Sequence, residues 1–210
     1  MGRPKNTAQR RAQIVNGLLE VMSERGYEGA SVVAIAEAAQ LTPGLVHYHF
    51  ETKQAILVAL VARLAATVTQ RYEQRRERAG DSAAAQLDAW IEAHLALGSD
   101  ADRDAVAAWV FIGAESIRQP EVREVYERAV AQRIEQVQAL LRAALVEAQR
   151  STRRLAKLAA LVVATVEGAY QLGIAVPEQL PRGFAAPTLE RAVRAWIEAE
   201  PRIGSAKSRR

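Results

Sequence analysis

Between Thr42 and Phe50 the sequence reads TPGLVHYHF. Thr42 is a helix-capping residue type and Pro43 suits a first turn, so a short helix is predicted here with Val46 and Phe50 on its inner side. That orientation leaves His47, Tyr48 and His49 without a packing role. A phenol and two imidazoles on an outer helix face are hydrogen-bonding groups of the kind that reach phosphate oxygens and base edges in a DNA groove. Metal binding is the competing chemistry for His47 and His49. Positions two apart on a helix do not face each other, and no third ligand lies near in sequence, so no metal is expected.

The elements that must position this face lie on either side. Ser31 precedes VVAIA and caps a first short helix, only Ala39-Gln40-Leu41 separates it from Thr42, and Thr52-Lys53 starts a third helix. Two short helices joined by so tight a turn, with Ile35, Ala36, Leu41, Val46 and Phe50 spaced to pack together, form a helix-turn-helix whose second helix enters a major groove. Upstream, Ile14, Val15, Leu18, Leu19 and Met22 recur at helical spacing from residue 8 to 25, and Gly26 supplies a stop. Residues 1 to 7 read as a flexible arm, and Arg3, Lys5, Arg10 and Arg11 fall within the first 13 residues with no acid among them.

Half of the 210 residues are apolar, strand-like alternation is absent, and Gly and Pro are sparse, so the fold class is all-α throughout. There is no cysteine, which removes disulfides and thiol chemistry. The longest apolar run, 158 to 166, is too short to span a bilayer, and no signal peptide is visible, so a soluble cytoplasmic chain with no membrane partner is expected. A net charge of +4 and a pI near 9.7 are modest for a DNA binder, but the basic residues gather at the two ends. No nucleophile elbow, Walker loop or dinucleotide fingerprint is present, Glu20, Glu24, Glu37 and Glu92 read as solvated faces, and His94 reads as a core histidine. Neither an enzyme nor a cofactor is expected.

Lys53 opens a long helix with Ile56, Leu57, Leu60, Val61, Leu64 and Val68 on one face, and Arg71, Arg75, Arg76 and Arg78 near its end. Gly80-Asp81-Ser82 is the first break after it, so this helix can act as a lever between two parts of the chain. Further helices follow: an amphipathic one around Trp90 and His94, which Gly98-Ser99-Asp100 ends, one over 101–118 that is apolar almost all round at 106–114, and others over 120–149, 152–174 and 187–200. The expected division is a DNA-binding domain over 1–52, a helical effector-binding and dimerisation domain over 53–200, and a basic tail over 201–210. Val130, Ile134, Val137 and Leu141, facing Leu158, Val162 and Val166, suit either a dimer seam or plain core. Trp109, Phe111 and Glu115 on one helix, with Glu167 and Tyr170 on another, place aromatic rings beside carboxylates, which suits a cationic effector. Ordinary core with Glu115 paired to Arg118 is the alternative, and a neutral ligand along Val106, Val110 and Ile112 is another.

With its basic arm, first helix ending in Gly, and the run SVVAIAEAAQLTPGLVHYHFETK, the chain resembles the tetracycline-repressor (TetR) family over residues 8–64. This resemblance implies an all-helical homodimer that binds a double-stranded DNA operator, represses transcription, and is released by a small-molecule effector. Carried over position by position, it implies DNA contacts at Ser31, Thr42, Pro43, Gly44, Leu45, His47, Tyr48, His49 and Lys53. A dimeric DNA-binding or protein-interaction module without an effector is the alternative function. Gln40 stands where the family usually has glycine, so the turn must strain or avoid positive φ. Val33 replaces a polar or basic residue of many members. Further on, AWVFIGAESIRQP (108–120) and VEGAY (166–170) resemble the choline-responsive repressors of betaine synthesis, with Ile112 and Gly113 in place of their aromatic pair.

Overall fold

A computed structural model describes residues 3–95 and 103–203, with side chains from Asn6 onward. Among these residues there are nine α-helices and no strand. They are α1 (Arg3–Gly29), α2 (Val32–Ala38), α3 (Pro43–His49), α4 (Lys53–Ala79), α5 (Ala83–Leu95), α6 (Arg103–Ser116), α7 (Pro120–Glu147), α8 (Leu155–Ala175) and α9 (Ala185–Ala199). The expected stop at Gly98-Ser99-Asp100 and the basic groups Lys207, Arg209 and Arg210 lie outside the described residues, as do the side chains of Arg3 and Lys5.

Residues expected as a flexible arm are helical from Arg3. Pro4 falls within the first turn, where a missing N–H costs nothing, and no other proline precedes Gly26. α4 and α8 are long and apolar enough, by length and composition, to cross a membrane, a criterion that core helices of bundles also meet.

The chain forms two compact units, 1–66 with 104–129, and 67–103 with 130–210. Each unit therefore includes part of α4 and part of α7. In the first unit Ile14 and Leu18 of α1, Ile35 of α2, and Ile56, Leu57 and Leu60 of α4 are fully buried, with Val46 and Phe50 beside them. Close approach of α1 to α2 requires Gly17, where an added Cβ would stand 2.7 Å from the Ile35 carbonyl oxygen.

Gly26 breaks α1 at φ 72°, ψ 174°, and one more turn follows it to Gly29. The break frees the Tyr27 N–H, which donates to the buried Glu115 carboxylate of α6 at 3.2 Å. Lys53 Nζ donates to the Tyr27 carbonyl at 2.9 Å and sits 4.1 Å from the centre of its ring. The Tyr27 hydroxyl donates to Glu121 at 3.2 Å, and burial first, then that carboxylate, push its pKa well above the usual tyrosine range. One kinked residue thus gathers contacts from α4, α6 and α7.

The second unit is a bundle of the rest of α4, α5, the rest of α7, α8 and α9. Leu87, Trp90, Ile91, Val137, Leu141, Leu145, Val162, Val166 and Val193 form its core, each at most 1% exposed. Of the α7–α8 stripe, Val137, Leu141, Val162 and Val166 pack inside their own chain, while Val130, Ile134 and Leu158 are half-buried. Exposed apolar and small positions lie on other faces, at Ala139, Ala143 and Val146 of α7, and at Leu161, Ala164, Gly168 and Leu172 of α8. The α7–α8 turn is pinned by residues 200–203. Ser151 N–H donates to the Pro201 carbonyl at 2.8 Å, Ile203 N–H to Gln149 at 2.9 Å, and Arg150 to the Glu200 carbonyl at 2.9 Å.

Glu115→Ala would leave the Tyr27 amide buried without an acceptor, a loss of about 1–3 kcal/mol. Arg118 also pairs with Glu115, at 2.9 Å, but its side chain is 75% exposed, so Arg118→Ala is expected to cost less than about 1 kcal/mol. Urea denaturation of the two variants measures the difference; equal effects would remove the Tyr27 amide from the account.

Candidate nucleic-acid interface

Ser31 and Thr42 set the two short helices. Each sits in extended backbone before its helix, and each hydroxyl accepts from the N–H three residues on, Ala34 at 3.1 Å and Leu45 at 3.3 Å. An accepting hydroxyl still carries its own O–H donor, so a cap can also face a phosphate. Thr52 repeats the pattern by accepting from the Ala55 N–H at 3.0 Å, which starts α4.

The turn between α2 and α3 is a Schellman motif. Gln40 N–H donates to the Glu37 carbonyl at 3.0 Å and Leu41 N–H to the Ala36 carbonyl at 2.8 Å. It requires a left-handed residue, and Gln40 adopts φ 56°. Of the two ways around the missing glycine, the chain uses the strained one.

α3 divides as its spacing predicts. Val46 and Phe50 are buried, Thr42, Pro43, Gly44 and His47 are exposed, Leu45 and His49 are partly exposed, and Tyr48 is 76% exposed. An added Cβ at Gly44 would meet nothing within 4 Å, so the first turn presents bare backbone outward. Tyr48 and His49 touch edge to face, with ring centres 5.1 Å apart. Val33 of α2 is exposed and offers no polar group.

Two basic residues have roles that spacing alone does not reveal. Arg11, one of the basic residues near the start of the sequence, donates from Nη1 to the His49 carbonyl at 2.5 Å and lies 3.9 Å from the centre of the Phe50 ring. A cation at the C-terminal carbonyls of α3 interacts favourably with the helix dipole and orients the helix. Lys53 is half-buried on Tyr27 and uses one of its three N–H groups there, leaving the others to serve a phosphate. A Lys at a helix start carried this expectation; its contact 26 residues back did not show in the pattern.

Residues 14–60 match the family model described as bacterial regulatory proteins, tetR family, and residues 83–198, more than half of the chain, match the BetI-type transcriptional repressor C-terminal model. The chain belongs to the TetR family. The HTH-type transcriptional regulator BetI of Pseudomonas paraeruginosa is 28% identical over 117 residues, 55% of this chain and 59% of that protein. BetI of Stenotrophomonas maltophilia is 29% identical over 125 residues, 60% and 63% of the two chains. The matches therefore span less than two thirds of these curated relatives. Among solved structures, a TetR-family regulator from Rhodococcus sp. superposes with TM-score 0.74 at 21% identity, covering 90% of this chain and 98% of that one. A transcriptional regulator from Saccharomonospora viridis in complex with choline superposes with TM-score 0.63 at 22% identity, covering 91% and 97%. These last two establish likeness of fold.

The five effector candidates of this TetR-family chain do not come together within either unit. Trp109, Phe111 and Glu115 belong to the first. Trp109 is buried with its ring centre 5.1 Å from that of Tyr126, Phe111 is 39% exposed, and Glu115 is held by the Tyr27 N–H and Arg118. Glu167 and Tyr170 belong to the second, where Glu167 pairs with Arg133 and the buried Tyr170 hydroxyl is pushed up to about 12, chiefly by burial. The ion pair of Glu115 with Arg118 is the one weighed against an effector role. Among the described residues, no three His, Asp or Glu side chains are grouped to hold a metal.

A non-glycine residue held left-handed costs about 1 kcal/mol or more. Gln40→Gly is therefore expected to stabilise the protein against urea by up to about 1 kcal/mol while preserving the turn. A destabilised variant would mean that the Gln40 side chain contributes more than its backbone strain costs.

Proposed function

We propose that this TetR-family regulator is a homodimeric repressor that occupies a pseudo-palindromic operator and leaves it on binding a small-molecule effector. The observation that carries the reading is the divided α3, with Tyr48, His47, Thr42 and Gly44 outward over a helix anchored by Val46, Phe50 and Arg11. Tyr48 and the histidines read base edges and neighbouring phosphates, and Ser31, Thr42 and Lys53 position the helix on the backbone. Two such helices reach successive major grooves when about 34–36 Å apart, which requires a two-fold pair.

The surface that supports the dimer is the outer face of α7 and α8 in the second unit. Leu161, Ala164, Gly168 and Leu172 make an apolar, small-residue stripe at helical spacing, beside Ala139, Ala143 and Val146. Two helices from each copy form a self-complementary four-helix interface, and the small side chains allow close approach. Effector coupling has a route through α4 and α7, each of which runs unbroken between units. An effector shifts the balance of two head spacings only by its difference in affinity for them. Structural neighbours in complex with choline and, for FadR of Bacillus subtilis, with stearoyl-CoA are in keeping with a ligand-binding C-terminal domain.

Leu161→Glu tests the dimer and the operator together. Sedimentation is expected to give helical monomers, with operator affinity reduced by about a hundredfold or more because one head alone retains little beyond non-specific binding. Val137→Asp should instead lower thermal stability, since Val137 is in the chain's own core. A dimeric Leu161→Glu protein with parental operator affinity would place the interface elsewhere.

A further inference from the structure

Among the described residues nothing uses the missing Cβ of Gly44. This glycine lies within α3 without positive φ, and a Cβ added to it would meet nothing within 4 Å. Glycine is a poor helix former, so alanine would serve the fold better here. Elsewhere in the same unit the requirement is internal: the Ile35 carbonyl excludes a side chain at Gly17, and the break in α1 needs the φ of 72° at Gly26. A side chain withheld where the fold has room for one leaves space for an outside group.

The neighbours of Gly44 shape that space. Positions 47 and 48 follow it by three and four, so both share its face of α3, and helical side chains lean toward the preceding turn. His47 and Tyr48 are exposed, which makes Gly44 the floor of an open notch with an imidazole and a phenol ring at its rim. The notch does not draw on free amides at the helix start, since the Leu45 N–H is held by the Thr42 hydroxyl at 3.3 Å.

Side-chain chemistry narrows what this face can read. From Leu41 to Phe50 there is no Arg, Lys, Asn, Gln, Asp or Glu. α3 therefore lacks the guanidinium that grips guanine at two points, the carboxamide that grips adenine, and the carboxylate that meets the cytosine amine. The carboxamide nearest in sequence, Gln40, stands in the turn before Thr42. What α3 offers is single hydrogen bonds and apolar surface. Of the four bases, only thymine presents an apolar group in the major groove, its C5 methyl.

We propose that the notch over Gly44 seats the C5 methyl of a thymine in each operator half-site, with the Tyr48 ring as its apolar wall. The proposal rests on the operator-binding reading and names the base feature that the exposed face of α3 recognises. A methyl group fits where a Cβ is missing because the two are the same size. Thymine and uracil differ by this methyl alone, so the seat is separable from every other DNA contact.

The test titrates the full chain with an operator fragment selected from the source genome, with random DNA of the same length, and with operators in which thymines are replaced by deoxyuridine in symmetry-related pairs. At least one pair is expected to weaken binding by about tenfold or more, about fourfold for each methyl. Gly44→Ala is the reciprocal change, because it puts a methyl into the notch from the protein side. This variant is expected to be at least as stable to urea as the parent, to lose about tenfold or more on the thymine operator, and to bind the uracil operator at least as well as the thymine one. Gln40→Gly should keep the parental ratio of thymine to uracil binding. A glycine required by the fold would instead lower urea stability when replaced, and one required for close approach of the phosphate backbone would lose affinity on both operators alike. Either outcome, a uracil scan without effect on the parent, or a lost thymine preference in Gln40→Gly would overturn the methyl seat. No preference for any selected fragment over random DNA would overturn the operator reading itself, whereas a preference that survives every uracil replacement sinks the methyl seat alone.

Discussion

The first unit depends on one broken helical residue. Once Gly26 takes positive φ, the Tyr27 N–H loses its partner in α1 and must find another or incur the cost of a buried donor. Glu115, 88 positions further on, supplies it, and Lys53 completes the junction at the Tyr27 carbonyl. A carboxylate and an ammonium on either side of one peptide tie α6 and the start of α4 to the end of α1. The chain then turns through Ala30 into the Ser31 cap of α2, so the direction of the helix-turn-helix is fixed by that junction.

From there the reading helix is held on three sides by different physics. Thr42 satisfies its first free amide, Val46 and Phe50 bury its inner face, and Arg11 meets its last carbonyls. None of these contacts uses the outer face, which keeps Tyr48 and His47 exposed on a rigid support. The left-handed Gln40 shows that the tight turn is retained at a cost in backbone strain. A one-residue change of register would take Val46 out of the core and put Leu45 or His47 in its place.

Local rules made the helix-turn-helix visible in advance, because caps and turn residues act within four positions of themselves. Longer-range choices were not visible. The spacing Glu115 to Arg118 suggests an ion pair, but nothing in it points to the Tyr27 amide. Val137 and Leu141 share a helical stripe, yet so do Ala139, Ala143 and Val146 on another side; periodicity finds stripes without saying which meets the chain's own core. The start of α1 was missed because Pro4 disrupts nothing in a first turn. That the helix from Lys53 runs between two parts of the chain was legible, because no break precedes Gly80; the passage of α7 from one unit to the other leaves no such mark. In the second unit, no spacing rule pairs Arg133 of α7 with Glu167 of α8, 34 positions on.

The assignment of α3 as the reading helix is most directly tested by a ratio. Operator fragments selected from the source genome, and random DNA of the same length, would be titrated with the parent and with Tyr48→Ala at one salt concentration. The preference for operator over random DNA is expected to fall by about tenfold or more in the variant, with random-sequence affinity nearly unchanged, as for a group that reads bases. Equal loss on both DNAs, or no loss on either, would contradict a reading role for the exposed face of α3.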